Sequence, residues 1–171
     1  QEAIIQQLTT ADYLRWKEQA AGFPAARLTV LAGHTRSGTT LLEQRLTAFP
    51  GAIGTDESGV FNREFARALV HDFPGSAADA LTEWEDWDAG GLLAGRQTFL
   101  TLTEAVIGEP IGSRLLIEKD PLRTPDLPLF LRIFPEATIL MPLRHPCDIA
   151  LSVWMTLLPI GREGWPASSL A

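Results

Sequence analysis

Gly33-His-Thr-Arg-Ser-Gly-Thr-Thr40 has the outline of a phosphate-binding loop: two glycines with four residues between them, placed so that successive backbone N–H groups can turn inward around an anion at a helix N-terminus. A nucleoside-triphosphate loop would follow the second glycine with a lysine that reaches the outer phosphates, and here Thr39 stands in its place. The loop therefore points to another phosphorylated anion, with Arg36 as its cation. Its surroundings agree. Residues 27–32 form a short apolar run behind Phe23-Pro24, which reads as a buried parallel strand. From Thr39 the pattern is helical, with Leu42, Leu46 and Phe49 at i, i+4 and i+7, until Pro50-Gly51 stops it. The alternative is a glycine-bearing strand-to-helix turn with no ligand.

At 171 residues, 46% of them hydrophobic, the chain can bury one domain's core. A net charge of −7 argues against a general nucleic-acid or membrane-surface binder, so any bound anion must be held by a local cluster. A single cysteine, Cys147, excludes an internal disulfide and a cysteine-rich zinc site; it fits a reducing, cytoplasmic setting and reads as a buried, inert thiol. No apolar run approaches the roughly 20 residues of a membrane helix. Residues 1–24 read as a helical lead-in, the tail of an upstream helical domain, and residues 25–171 as a phosphate-loop domain that is incomplete at its C-terminus.

Beyond the loop helix, residues 51–59 are turn-rich and contain Asp56-Glu57. Helical spacing follows at Phe61, Phe65, Ala68 and Leu69, then over residues 77–87; Gly90-Gly91 breaks the pattern, and 92–107 is a longer helix. Strands are expected at 115–117 and 137–143, and helices through Leu127 to Phe134 and Ile149 to Leu157. Alternating strands and helices give an α/β, three-layer fold with a central parallel sheet flanked by helices. Ligands of such sheets bind at the carboxyl ends of the strands. Each expected strand delivers a cation there: Arg36, Lys119 and Arg144.

With these residues in view, the chain resembles the P-loop sulfotransferases. Thr35-Arg-Ser-Gly-Thr-Thr-Leu-Leu42 is similar to their 5′-phosphosulfate loop, in the form found in tyrosylprotein sulfotransferases and in bacterial sulfotransferases that carry tetratricopeptide repeats. The run from Phe134 to Asp148, continued to Ser152, resembles their 3′-phosphate motif, in which an arginine and a serine lie eight positions apart, as Arg144 and Ser152 do. Glu118-Lys-Asp-Pro121 matches the family's Lys-Asp-Pro turn, and Asp56-Glu57 falls at the acidic pair of the tyrosine-sulfating branch. The resemblance covers roughly residues 27 to 158, with His34-Thr35 departing from the usual Met-Pro or Val-Pro.

The resemblance implies 3′-phosphoadenosine 5′-phosphosulfate as co-substrate, no metal, and a hydroxyl-bearing acceptor such as a tyrosine phenol, a sugar or a natural-product alcohol. It implies Glu57 as general base, Arg36 and Lys119 as the cations at the bridging oxygen, Ser37, Gly38, Thr39 and Thr40 as loop ligands, and Arg144 with Ser152 at the 3′-phosphate. Other roles stay open for these residues. Asp56-Glu57 can be a solvated turn or helix cap, Lys119 the partner of Asp120 or Glu118, and Arg144 the ion-pair partner of Asp148. His34 is a rival base; His71 and His145 read as surface or turn residues, and Trp84, Trp87 and Trp154 as packing. The competing functions are a P-loop small-molecule kinase, which lacks both the loop lysine and a magnesium-binding acid after the third strand, and a non-catalytic nucleotide-binding module.

Overall fold

The computed structural model describes residues 2–156. Four short strands, β1 (Leu28–Leu31), β2 (Ala52–Gly54), β3 (Leu115–Lys119) and β4 (Thr138–Leu140), form one sheet in the order β2-β3-β1-β4. Every pairing is parallel, so each crossover carries helix, as parallel strands require. The helices are α1 (Glu2–Gln7), α2 (Thr10–Ala20), α3 (Thr39–Thr47), α4 (Ala77–Glu85), α5 (Ala89–Ile107), α6 (Leu127–Ile133) and α7 (Pro146–Trp154). A π-helix, Asn62–His71, and a 3-10 helix, Pro121–Asp126, complete the described segments. The α/β architecture expected from the sequence, a central parallel sheet flanked by helices, is the one observed.

All four residues of β1 are buried, which a strand at the middle of a parallel sheet demands. In register Leu28 pairs with Leu116, Thr29 with Ile117, Val30 with Glu118 and Leu31 with Lys119. Leu28, Val30 and Leu116 join the main apolar core, which holds five phenylalanines. Phe61, Phe65, Phe99, Phe130 and Phe134 meet there with ring centroids 4.7 to 6.2 Å apart in tilted, stacked and edge-on pairs. Each such contact adds about 0.5–1.5 kcal/mol beyond area burial. Thr29, Leu31, Ile117 and Lys119 lie on the other face, toward α3, which packs over β2 and β3.

Several elements differ from their expected form. Ala52–Gly54 is a strand where turn was expected, since it pairs with β3. Helix α5 begins before Gly90-Gly91: Asp88 caps it, its Oδ1 accepting from Gly91 N at 2.7 Å, so both glycines sit in the first turn. The 62–71 helix is wound wide, closing with Asp72 N donating to Arg67 O at 2.7 Å. On α3 the buried residues are Thr39 and Glu43, while Phe49 is exposed beyond the helix end. The expected apolar stripe is turned aside because this face meets a charged residue of β3.

Candidate functional site

At the end of β1 the chain enters the loop through Gly33, whose φ of 125° requires glycine. Its N–H donates to Thr124 Oγ1 at 2.8 Å, and the same hydroxyl donates back to Gly33 O at 2.8 Å. The 3-10 helix thereby clamps the loop's entrance. Ser37 N donates to His34 O at 3.2 Å, Arg36 is left-handed at φ 66°, and Gly38 follows at φ 103°. A non-glycine residue in that region is strained and persists only where its surroundings fix it. Gly38 caps α3 with no side-chain bond, so the first-turn N–H groups have no cap from that residue and the positive end of the helix faces the loop. The hydroxyls of Thr35 and Ser37 are buried with no hydrogen-bond partner. Orphaned donors around a concave backbone fit an anion such as a phosphosulfate.

On the β4 side of the loop three of the expected residues meet. Arg144, just before α7, donates from Nη1 to Arg36 O at 2.9 Å, and Arg36 Nε donates to Ser152 Oγ, on α7, at 3.0 Å. His145 caps α7 through Nδ1, which accepts from Cys147 N at 3.2 Å. Arg144 is thus tied to a loop carbonyl, where an ion pair with Asp148 was the alternative. Both arginines are exposed beside the unpartnered hydroxyls, and the guanidinium fork suits bidentate phosphate binding.

On the β3 side the geometry centres on Lys119, a buried ammonium ringed by acids. Its Nζ lies 3.1 Å from Glu43 Oε2, 3.2 Å from Asp56 Oδ1, 3.2 Å from Glu57 Oε1 and 3.3 Å from Thr40 Oγ1. Burial by itself lowers the Lys119 pKa. Hydrogen bonding and charge from Glu43, followed by Asp56 and Glu57, outweigh it and hold the group above the usual lysine range. Asp56 and Glu57 both have left-handed backbones, at φ 47° and 61°. Glu57's side chain is half exposed, open to an incoming group.

Glu118, the next residue back, faces the opposite side of the sheet. It is fully enclosed beside a cavity of about 20 Å³ lined by Val30, Ala32, Phe61 and Asp120, and its Oε2 has no hydrogen-bond partner. Burial pushes its carboxyl up to about 7; a hydrogen bond with Thr55 pulls the other way, and the charges of Asp120 and Glu43 add to the upward push.

The nine residues singled out in the sequence, Arg36, Ser37, Gly38, Thr39, Thr40, Glu57, Lys119, Arg144 and Ser152, all lie in the loop or its two flanks. Lys119 pairs with Glu43, Asp56 and Glu57. Cys147 is exposed instead of buried, since it sits in the first turn of α7, whose buried residue is Val153. His34 turns onto its own loop, Nδ1 2.6 Å from Thr35 O. Trp84 is buried in the core, Trp87 packs against Phe65, and Trp154 is half exposed; the side chain of His71 lies outside the described residues. Glu43 and Thr124 carry no signal in the sequence that marks them for the site. Among the described residues no group of three His, Cys, Asp or Glu could hold a metal ion, and no helix is long and apolar enough to cross a membrane.

A family model described as "Sulfotransferase family" matches residues 29–171. No curated protein matches the chain.

Proposed function

The chain belongs to the sulfotransferase family, and from that premise we propose that it moves a sulfuryl group from 3′-phosphoadenosine 5′-phosphosulfate to a hydroxyl of a phenol, a sugar or a natural-product alcohol. The observation that carries this reading is the Lys119 ammonium, which has the Thr40 hydroxyl of the loop at 3.3 Å and the Glu57 carboxylate at 3.2 Å. One cation thus stands between the anion loop and a base.

In this reading the N–H groups and hydroxyls of Ser37 to Thr40 hold the 5′-phosphosulfate, and Arg144 with Ser152 holds the 3′-phosphate. The donor supplies the sulfuryl group and, in the nucleotide, a stable leaving anion. Arg36 and Lys119 stabilise the charge that gathers on the bridging oxygen, the role that magnesium and a loop lysine share in nucleoside-triphosphate sites. Glu57 accepts the acceptor's proton as its oxygen attacks. Its contact with Lys119 orients the carboxylate before the acceptor arrives, which lowers the entropic part of the barrier. The lone thiol, Cys147, is compatible with a cytoplasmic setting.

The test is turnover of the donor without divalent cations, offered with phenols, sugars and alcohols in turn. Formation of the 3′,5′-bisphosphate together with a sulfated acceptor is expected. Phosphoryl transfer from magnesium ATP to the same acceptors, with no sulfuryl transfer, overturns the reading.

A further inference from the structure

Glu43 is a carboxylate where the loop helix would be expected to bury an apolar residue. It lies one turn beyond Thr39 on α3 and its side chain is only 7% exposed. Its two oxygens have different partners. Oε1 accepts the Asp56 N–H at 3.0 Å, and Oε2 pairs with Lys119 Nζ at 3.1 Å. Gly54 makes room for this arrangement: a Cβ there would stand 2.6 Å from Glu43 Oε1.

These contacts join three elements. The anion loop runs directly into α3, Lys119 ends β3, and Asp56-Glu57 forms the turn after β2. That turn keeps two consecutive non-glycine residues in left-handed conformations, which the chain abandons unless something holds them. The Glu43 bond to Asp56 N is one such hold. The charged groups facing Lys119 are Glu43 from α3 and Asp56 and Glu57 from the turn. Of the three, Glu43 is the most enclosed, and Asp56 is 90% exposed.

We propose that Glu43 is a positioning residue for sulfuryl transfer, one carboxylate that fixes the distance between Lys119 and the turn carrying Glu57 while touching neither donor nor acceptor. This rests on the function proposed above. The loop helix then has two roles, aiming N–H groups at an anion and setting the base and the lysine against each other.

The chain's two lysines make the test direct. A titration of protein carrying 13Cε-lysine, followed by NMR, gives one signal for Lys119 and one for Lys17, which is exposed on α2. Lys119 should titrate above the usual lysine range in the unaltered protein and distinctly lower in Glu43→Gln. In the same variant turnover should drop about 10²-fold, the cost of a misplaced reacting group, with the donor KM changed less than about threefold. Glu43→Asp keeps the charge, and should hold the Lys119 titration and lose much less turnover. If either the titration or the turnover stays unmoved in Glu43→Gln, or if Gln and Asp behave alike, the proposal is overturned. Should Glu43→Gln not fold, Gly54→Ala displaces the carboxylate with no charge changed, and the same two readouts must both move. A wild-type protein that transfers no sulfuryl group would sink the proposed function instead, while the titration would still report whether Glu43 and Lys119 are coupled.

Discussion

Glu57 combines a strained left-handed backbone, a contact to a buried ammonium and a half-exposed carboxylate, a combination suited to a base that must meet a substrate. Glu57→Gln should keep the fold and nearly all nucleotide affinity while lowering turnover by about 10²–10⁴, the usual contribution of a positioned base; Asp56→Asn should do much less, and the reverse ranking in a donor-turnover assay would move the base to Asp56. Glu118 makes a different prediction. Its folded pKa of about 7 stands above the ordinary 4.5, so between these values the native state holds a proton that the unfolded chain has released. The stability this group contributes is fully present below pH 4.5 and is lost as pH rises to 7, by about 3 kcal/mol. Denaturant unfolding at pH 5 and pH 8 should show that fall, and Glu118→Gln should abolish it; a wild-type curve that is flat or rises across the window contradicts the assignment. Arg36, Lys119 and Arg144 can be picked out of the sequence because each follows or ends an apolar run at the edge where ligands gather; Ser152, inside α7, is marked only by its spacing of eight from Arg144 in the resembled motif. Glu43 cannot, because a charged residue in the third position after a loop's last threonine reads as part of a solvated helix face. Only the strand opposite it, with a lysine pointing inward, reverses that reading.

At the scale of elements, the 3-10 helix and the anion loop behave as one unit through Thr124. Its hydroxyl accepts from Gly33 N and donates to Gly33 O, with Pro121 O a further acceptor at 2.9 Å. Thr124→Val is nearly the same shape without the hydroxyl and leaves the Gly33 N–H unsatisfied, so it should cost about 1–3 kcal/mol of stability and weaken nucleotide binding by loosening the loop's entrance. Thermal unfolding and nucleotide titration of this variant check both, and no change in either would mean the clamp is incidental. Strand β2 is hidden in the sequence because only Ile53 of its three residues is fully buried, and its extended form comes from pairing with β3. The N-terminus of α5 is equally hard to read, because glycine is a poor helix former in the interior, whereas in the first turn, capped by Asp88, its cost is small. The strand–loop–helix at residues 28–47 is legible throughout, since glycine spacing, a buried strand and a helical start all agree there.

For the whole molecule, the strand order β2-β3-β1-β4 puts the anion loop on a central strand, with Lys119 on one neighbour and Arg144 just past the other. Sequence alone can count three cations at strand ends, but only the order of strands makes β1 the middle one and gives each cation its side. A chain of net charge −7 gains no general attraction for anions, so in the proposed function selectivity rests on this local arrangement of two arginines, one lysine and orphaned loop donors. In that proposal a bisphosphate nucleotide offers one anion to the loop and one to the Arg144 flank; ATP concentrates its charge on a chain of phosphates for which the loop has no lysine. Calorimetric titration with 3′-phosphoadenosine 5′-phosphate in the presence of chelator, set beside ATP with magnesium, should show tight, metal-independent binding of the bisphosphate and much weaker binding of ATP; equal affinities, or a strict requirement for magnesium, would mean the protein is not a sulfotransferase of this donor.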